Sequence, residues 1–134
     1  MEYTEKVKKH FLNPKNLGKI EEKDLKHGEE LVIGEVGNPA CGDLMKVYVK
    51  IKDRKILDCK VETFGCAAAI ACSSVTTELA IGKTIEQAKK LSKESIVEEL
   101  GGLPPIKVHC SNLAVDALRK ALENYEKGIN VIKK

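Results

Sequence analysis

No stretch of the 134-residue sequence approaches the roughly 20 apolar residues needed to cross a bilayer, and the opening Met1-Glu2-Tyr3-Thr4-Glu5-Lys6 holds no apolar signal core. The expectation is a cytoplasmic protein with no membrane role. Charge of one sign is also scarce. The 23 Lys and Arg residues face 20 Asp and Glu, and a net charge of +3 argues against nucleic acid as the main partner. There is no internal repeat and no low-complexity stretch. With 134 residues, 43% of them hydrophobic, the chain has room for one domain, 1–134, and not for a second. It has no C-x-x-C pair, either singly as in a thiol oxidoreductase or doubled as in zinc knuckles. Its five cysteines are odd in number and unevenly spaced, a pattern that in a reducing compartment suits thiolate chemistry better than a disulfide framework.

Periodicity supplies the elements. Thr4 to Leu12 sets Val7, Phe11 and Leu12 against charges, as a short amphipathic helix would, and Asn13-Pro14 ends it. The charged stretch Glu21 to Glu30 has no period and is read as a surface connection. Leu31 to Val36 forms a short apolar run. Met45, Val47, Val49 and Ile51 then alternate with polar residues, as do Leu57, Cys59, Val61 and Thr63 after an Asp53-Arg54 turn. The reading predicts a three-stranded antiparallel β-meander.

After Phe64-Gly65 the period becomes helical. Ala68, Ala71, Cys72, Val75 and Leu79 make one stripe, with Gly82 as a stop, and Thr84 to Gln87 has the spacing of a capping box. A further helix spans Lys93 to Leu100, and the paired prolines of Leu103-Pro104-Pro105-Ile106-Lys107 impose an extended segment. In the last helix Leu113, Ala114, Ala117, Leu118, Ala121, Leu122 and Tyr125 share a face, with Asp116 placed in the first turn and Gly128 after the end. The fold class is therefore α+β, with helices packed on one face of the sheet in two layers.

Three cysteines lie at turns beside polar residues. They are Cys41 in Gly37-Asn38-Pro39-Ala40-Cys41-Gly42-Asp43, Cys66 in Phe64-Gly65-Cys66, and Cys110 in Lys107-Val108-His109-Cys110-Ser111. Cys41 and Asp43 are two apart, so in extended chain they point to one side. Cys66 falls in the first turn of its helix, nearly opposite the apolar stripe, where unpaired N–H groups favour thiolate. His109-Cys110 stands just before the last helix and gains the same activation. Cys59 and Cys72 fall on core faces, so the reading divides the five into an exposed trio and a buried pair. Taken together, three thiolates with Asp43 and His109 suit iron or zinc, which accept mixed sulfur, nitrogen and oxygen ligands.

These residues resemble a known family, the iron-sulfur cluster assembly scaffold IscU and the amino-terminal domain of NifU. The likeness extends over essentially the whole chain. It is carried by Tyr3-Thr4-Glu5-Lys6-Val7 with Asn13-Pro14-Lys15-Asn16, by Gly37 to Asp43, by Phe64-Gly65-Cys66-Ala67-Ala68-Ala69-Ile70-Ala71, and by Leu103 to Cys110. The resemblance implies an IscU/SufE-like domain and a scaffold rather than an enzyme. It implies that Cys41, Asp43, Cys66, His109 and Cys110 hold a labile [2Fe-2S] cluster, Fe2+ or Zn2+, with Cys110 accepting sulfur from a cysteine desulfurase. It further implies transfer to apo iron-sulfur acceptor proteins, an Hsp70-type chaperone binding Leu103 to Lys107, and a homodimer. Ala67-Ala68 replaces the Gly-Ser of many members, and Cys72 replaces a Ser or Thr. No insertion of the SufU kind separates Cys66 from Cys110. Two other classes compete: a structural zinc domain or zinc-dependent sulfur acceptor, and a thiol enzyme with one nucleophilic cysteine.

Overall fold

The structure, a computed structural model, describes residues 4–38, 43–64, 67–103 and 108–134, apart from the side chains of Asn38, Asp43, Phe64 and His109. Helix α1 (Glu5–Leu12) leads through a 3-10 turn (Glu22–Asp24) to three strands, β1 (Glu30–Asn38), β2 (Asp43–Lys52) and β3 (Lys55–Phe64). Helices α2 (Ala67–Ala80), α3 (Ile85–Lys89), α4 (Lys93–Glu99) and α5 (Val108–Lys127) follow, and a two-residue strand β4 (Ile132–Lys133) closes the chain. The sheet is antiparallel in the order β3-β2-β1-β4, so the expected meander gains a fourth strand. No helix among the described residues is long and apolar enough to cross a membrane.

One sheet face carries Val32, Met45, Val47, Val49, Ile51, Ile56, Cys59 and Val61, all buried against the helices. Alternation on β3 breaks at one point. Val49 pairs with Cys59, but Ile51 pairs with Ile56, so a β-bulge shifts the register there. Ile56 thereby takes the core place expected for Leu57, which is 41% exposed. The Asp53-Arg54 turn is confirmed, with both residues at positive φ as a two-residue hairpin of this twist requires. Arg54 is held there by the Ile85 N–H on its carbonyl and by Glu86 on its guanidinium.

The other face is not bare. Ile20, Leu25, Leu31 and Tyr48 form a second, smaller cluster, so the segment read as a surface connection is pinned to the sheet. The chain just before it is bonded to the edge of β3, with the Gly18 N–H donating to the Val61 carbonyl and the Val61 N–H to the Asn16 carbonyl.

Helix α2 is buried around most of its circumference, including Ser73, Ser74, Thr76 and Thr77, and not along a single stripe. Its hydroxyls determine how α1 docks. Ser74 Oγ lies 2.8 Å from His10 Nδ1 and accepts the Lys15 N–H at 2.9 Å, while the Asn16 amide donates to Thr77 Oγ1 at 3.1 Å. This polar interface explains why only Val7 of the expected α1 face is buried, leaving Phe11 and Leu12 exposed.

Helix α5 lies against β1. The Tyr125 hydroxyl donates to Glu30 Oε1 at 3.1 Å, and the Asn124 amide to the Ile33 carbonyl at 3.0 Å. A Cβ on Gly34 would fall on the backbone nitrogen of Ala121 and the carbonyl oxygen of Ala117. Gly34→Ala is therefore expected to destabilise the fold by about 3 kcal/mol or more, because backbone atoms cannot yield as a side chain can. Urea denaturation measures this, and a loss below about 0.5 kcal/mol would show that the helix can ride up without cost.

Candidate metal and cluster site

Register places the candidate residues at one end of the sheet. Asn38 pairs with Asp43 and Leu44 with Phe64, so the end of β1, the start of β2 and the end of β3 lie together. Cys41 falls in the four-residue link between the paired Asn38 and Asp43, and Cys66 between Phe64 and Ala67, the first residue of α2. Both cysteines lie outside the described residues, as do Pro104 to Lys107 of the extended segment. Leu103 itself is half-buried against the core.

The α5 contacts bring the third cysteine to the same end. Tyr125 meets Glu30 and Ala117 and Ala121 meet Gly34, so α5 runs antiparallel to β1. From the middle of the Gly34 contact, Cys110 lies about 13 Å back along the helix at about 1.5 Å per residue. Asn38 lies about 13 Å forward along the strand at about 3.3 Å per residue. The first turn of α5 thus arrives level with Asn38 and Asp43.

Two expectations about this turn are corrected. His109 and Cys110 stand inside the first turn of α5, which begins at Val108, and Asp116 is two turns further on and not in the first. Cys110 is also 0% exposed, although it was placed in an exposed trio. Its spacing explains the burial. Cys110 lies four residues before Ala114 and seven before Ala117, so it continues the buried stripe by one more turn. That signal was present in the sequence.

The buried pair is as expected. Cys72 is enclosed within α2, and Cys59 faces the core from β3, where burial first, and then the Asp58 charge, raises its thiol from 9.0 to about 12. Cys59 therefore remains a neutral thiol and is a poor metal ligand. Among the described residues no three His, Cys, Asp or Glu side chains form a metal-binding group. Of the five predicted ligands, only the Cys110 side chain is among those described.

Residues 2–131 match the family model of the NifU-like N terminal domain. The chain belongs to that family. A relative from Archaeoglobus fulgidus, the iron-sulfur cluster assembly scaffold protein IscU 1, is 57% identical over 92% of this chain and 76% of its own length. The Escherichia coli iron-sulfur cluster assembly scaffold protein IscU is 44% identical over 94% of this chain and 95% of its own. Among solved structures, a scaffold protein for the SUF system from Fervidobacterium islandicum superposes with a TM-score of 0.72. It shares 28% identity over 90% of this chain and 96% of that one. The amino-terminal domain of a NifU-like protein from Brucella abortus, 20% identical with a TM-score of 0.68 over 92% of this chain and 94% of that one, shares the fold. The α+β architecture expected from periodicity is thus the architecture of the NifU-like domains.

Because the raised Cys59 thiol favours the folded state only while protonated, its contribution is complete below about pH 9 and is lost as pH rises toward about 12. Replacing Cys59 by Val should flatten that alkaline fall in unfolding free energy. An unchanged slope in the variant would show that Cys59 is not its source.

Proposed function

We propose that this NifU-like domain is a scaffold on which an iron-sulfur cluster is assembled and from which it passes to acceptor proteins. The observation that carries the reading is its identity, over most of both chains, to relatives named as cluster assembly scaffolds. The fold supports it, because the chain positions on both sides of Cys41 and Cys66 share one end of the sheet with Asp43 and the first turn of α5. We read the protein as a carrier of sulfur and iron and not as a turnover enzyme, although a Drosophila melanogaster relative 48% identical to it is named an iron-sulfur cluster assembly enzyme.

In this reading Cys41, Asp43, Cys66, His109 and Cys110 receive the cargo, which is [2Fe-2S] or its Fe2+ precursor, with Zn2+ as a competing occupant. A cysteine desulfurase presents a persulfide. The Cys110 thiolate attacks its outer sulfur, an S–S bond forms at Cys110, and the donor departs as a thiol. Each transferred sulfur then takes two electrons from an external reductant to become the sulfide of the cluster. Cys110 is buried, so the donor reaches it only when the surroundings of the first turn of α5 part. An Hsp70-type chaperone acting on Leu103 to Lys107 and a homodimer belong to the same proposal.

Release follows from ligand chemistry. A carboxylate is a harder ligand than thiolate, so a site combining Asp43 with three thiolates gives up a cluster that four thiolates would retain. Anaerobic reconstitution with iron, cysteine and a desulfurase tests the assignment. Wild type should develop thiolate-to-iron charge-transfer absorption. Cys41→Ser, Cys66→Ser and Cys110→Ser should each lose most of it, and Asp43→Ala should hold its cluster longer against an apo acceptor. Absence of the absorption in wild type, or faster transfer from Asp43→Ala, would sink the corresponding claim.

A further inference from the structure

The two edges of the sheet are treated differently. On β3 the Val61 N–H and carbonyl both turn away from β2 to bond residues 16 and 18, so the odd residues of β3 from Cys59 onward face outward, and before the bulge the even residue Ile56 does. That edge is closed at intervals. Ile56 bonds Gly82 and Lys83, the Cys59 N–H is capped at 2.8 Å by Asp58 Oδ1, and Val61 is covered by Asn16 and Gly18.

The same alternation, carried through the β1 to β2 register, turns Leu31, Ile33, Glu35 and Gly37 of β1 toward the opposite edge. There β4 pairs only with Glu30 and Leu31, and the Asn124 amide caps the Ile33 carbonyl. Beyond it no strand among the described residues meets Glu35 or Gly37, and both are exposed. Unpaired N–H and C=O groups in strand register are a template for another strand, and proteins ordinarily blunt them.

We propose that the Ile33 to Gly37 edge of β1 docks an extended peptide segment of a partner protein by strand addition, with a basic residue opposite Glu35 and apolar residues on either side. The backbone register dictates an extended occupant, since only a strand satisfies alternate outward donors and acceptors. The charge dictates its centre. Glu35 has no hydrogen bond or ion pair among the described residues, because its cross-strand partner Lys46 lies over the Tyr48 ring, 5.3 Å from its centroid. Ile33 shares the outer face with Glu35 and borders the cluster of Leu31 and Tyr48, so an apolar side chain beside it extends that cluster. A second copy of this chain is disfavoured, because antiparallel pairing centred on this edge sets Glu35 opposite Glu35.

The probe is the capped pentapeptide VTKTV, whose valines and lysine share one face, with VTETV as the charge-reversed control. Amide hydrogen exchange of the full chain is the readout. At saturating VTKTV the Glu35 and Gly37 amides should exchange about tenfold more slowly, while VTETV should leave them unchanged. Glu35→Pro removes an outward N–H without touching the ladder to β2 and should abolish the effect, and Glu35→Lys should transfer the preference to VTETV. The proposal is overturned if neither amide slows, if slowing survives Glu35→Pro in a folded variant, or if it appears without peptide and grows with protein concentration. The last result would make a second copy the occupant.

Discussion

Helix α5 lies close on β1 because Gly34 has no side chain where the backbone of Ala117 and Ala121 passes. That contact sets both the depth and the lengthwise position of the helix. Asn124 and Tyr125 then fix its far end to Ile33 and Glu30 by hydrogen bonds, so the near end, with His109 and Cys110, has one place to arrive. A glycine inside a strand lowers intrinsic strand stability. Here it is required by the same packing that carries Cys110 to the end of the sheet where β1 and β2 pair as Asn38 and Asp43.

The two sides of α2 differ in a related way. Toward the sheet and α5 it presents Ala68, Ala71, Cys72 and Val75, while toward α1 it offers Ser74 and Thr77 to His10, Lys15 and Asn16. Hydrogen bonds of this kind contribute about 1 kcal/mol each, because water competes for the same groups. Area burial on α1 comes from Val7 and part of Phe11, while Leu12 remains in solvent. Both helices are thus held by apolar burial together with polar contacts that fix their geometry.

How much of this was legible follows from the length over which each pattern runs. The long α5 stripe, the alternation of β2, the Thr84 capping box and the glycine stops after α2 and α5 were all readable, because each repeats a period or uses a residue with one conformational role. Leu57 was misplaced because a bulge reverses the parity of a strand without leaving a mark in composition. Phe11 and Leu12 were assigned to a core that the hydroxyl-bearing surface of α2 does not offer. β4 is too short to show a period, and Ile20 and Leu25 lie in charged surroundings that conceal their burial. At the candidate site, the trio is chosen by its polar neighbours. That same emphasis hid the stripe spacing that buries Cys110.

Burial of Cys110 separates two demands that a polar turn alone would confound. A ligand to a cargo that must leave needs an approach from outside, and a thiol fully exposed in the resting state is open to oxidation. Placing the thiol on the inner stripe of α5, within its first turn, shields it. The other cysteines of the proposed ligand set, Cys41 and Cys66, fall in the links between β1 and β2 and between β3 and α2, whereas Gly34 and Asn124 pin the body of α5 to the sheet. The position of α5 on the sheet is therefore fixed by contacts that lie away from Cys110. In the proposed function the sulfur acceptor is thus shielded by the same buried stripe of α5 whose lengthwise position Gly34 and Asn124 set.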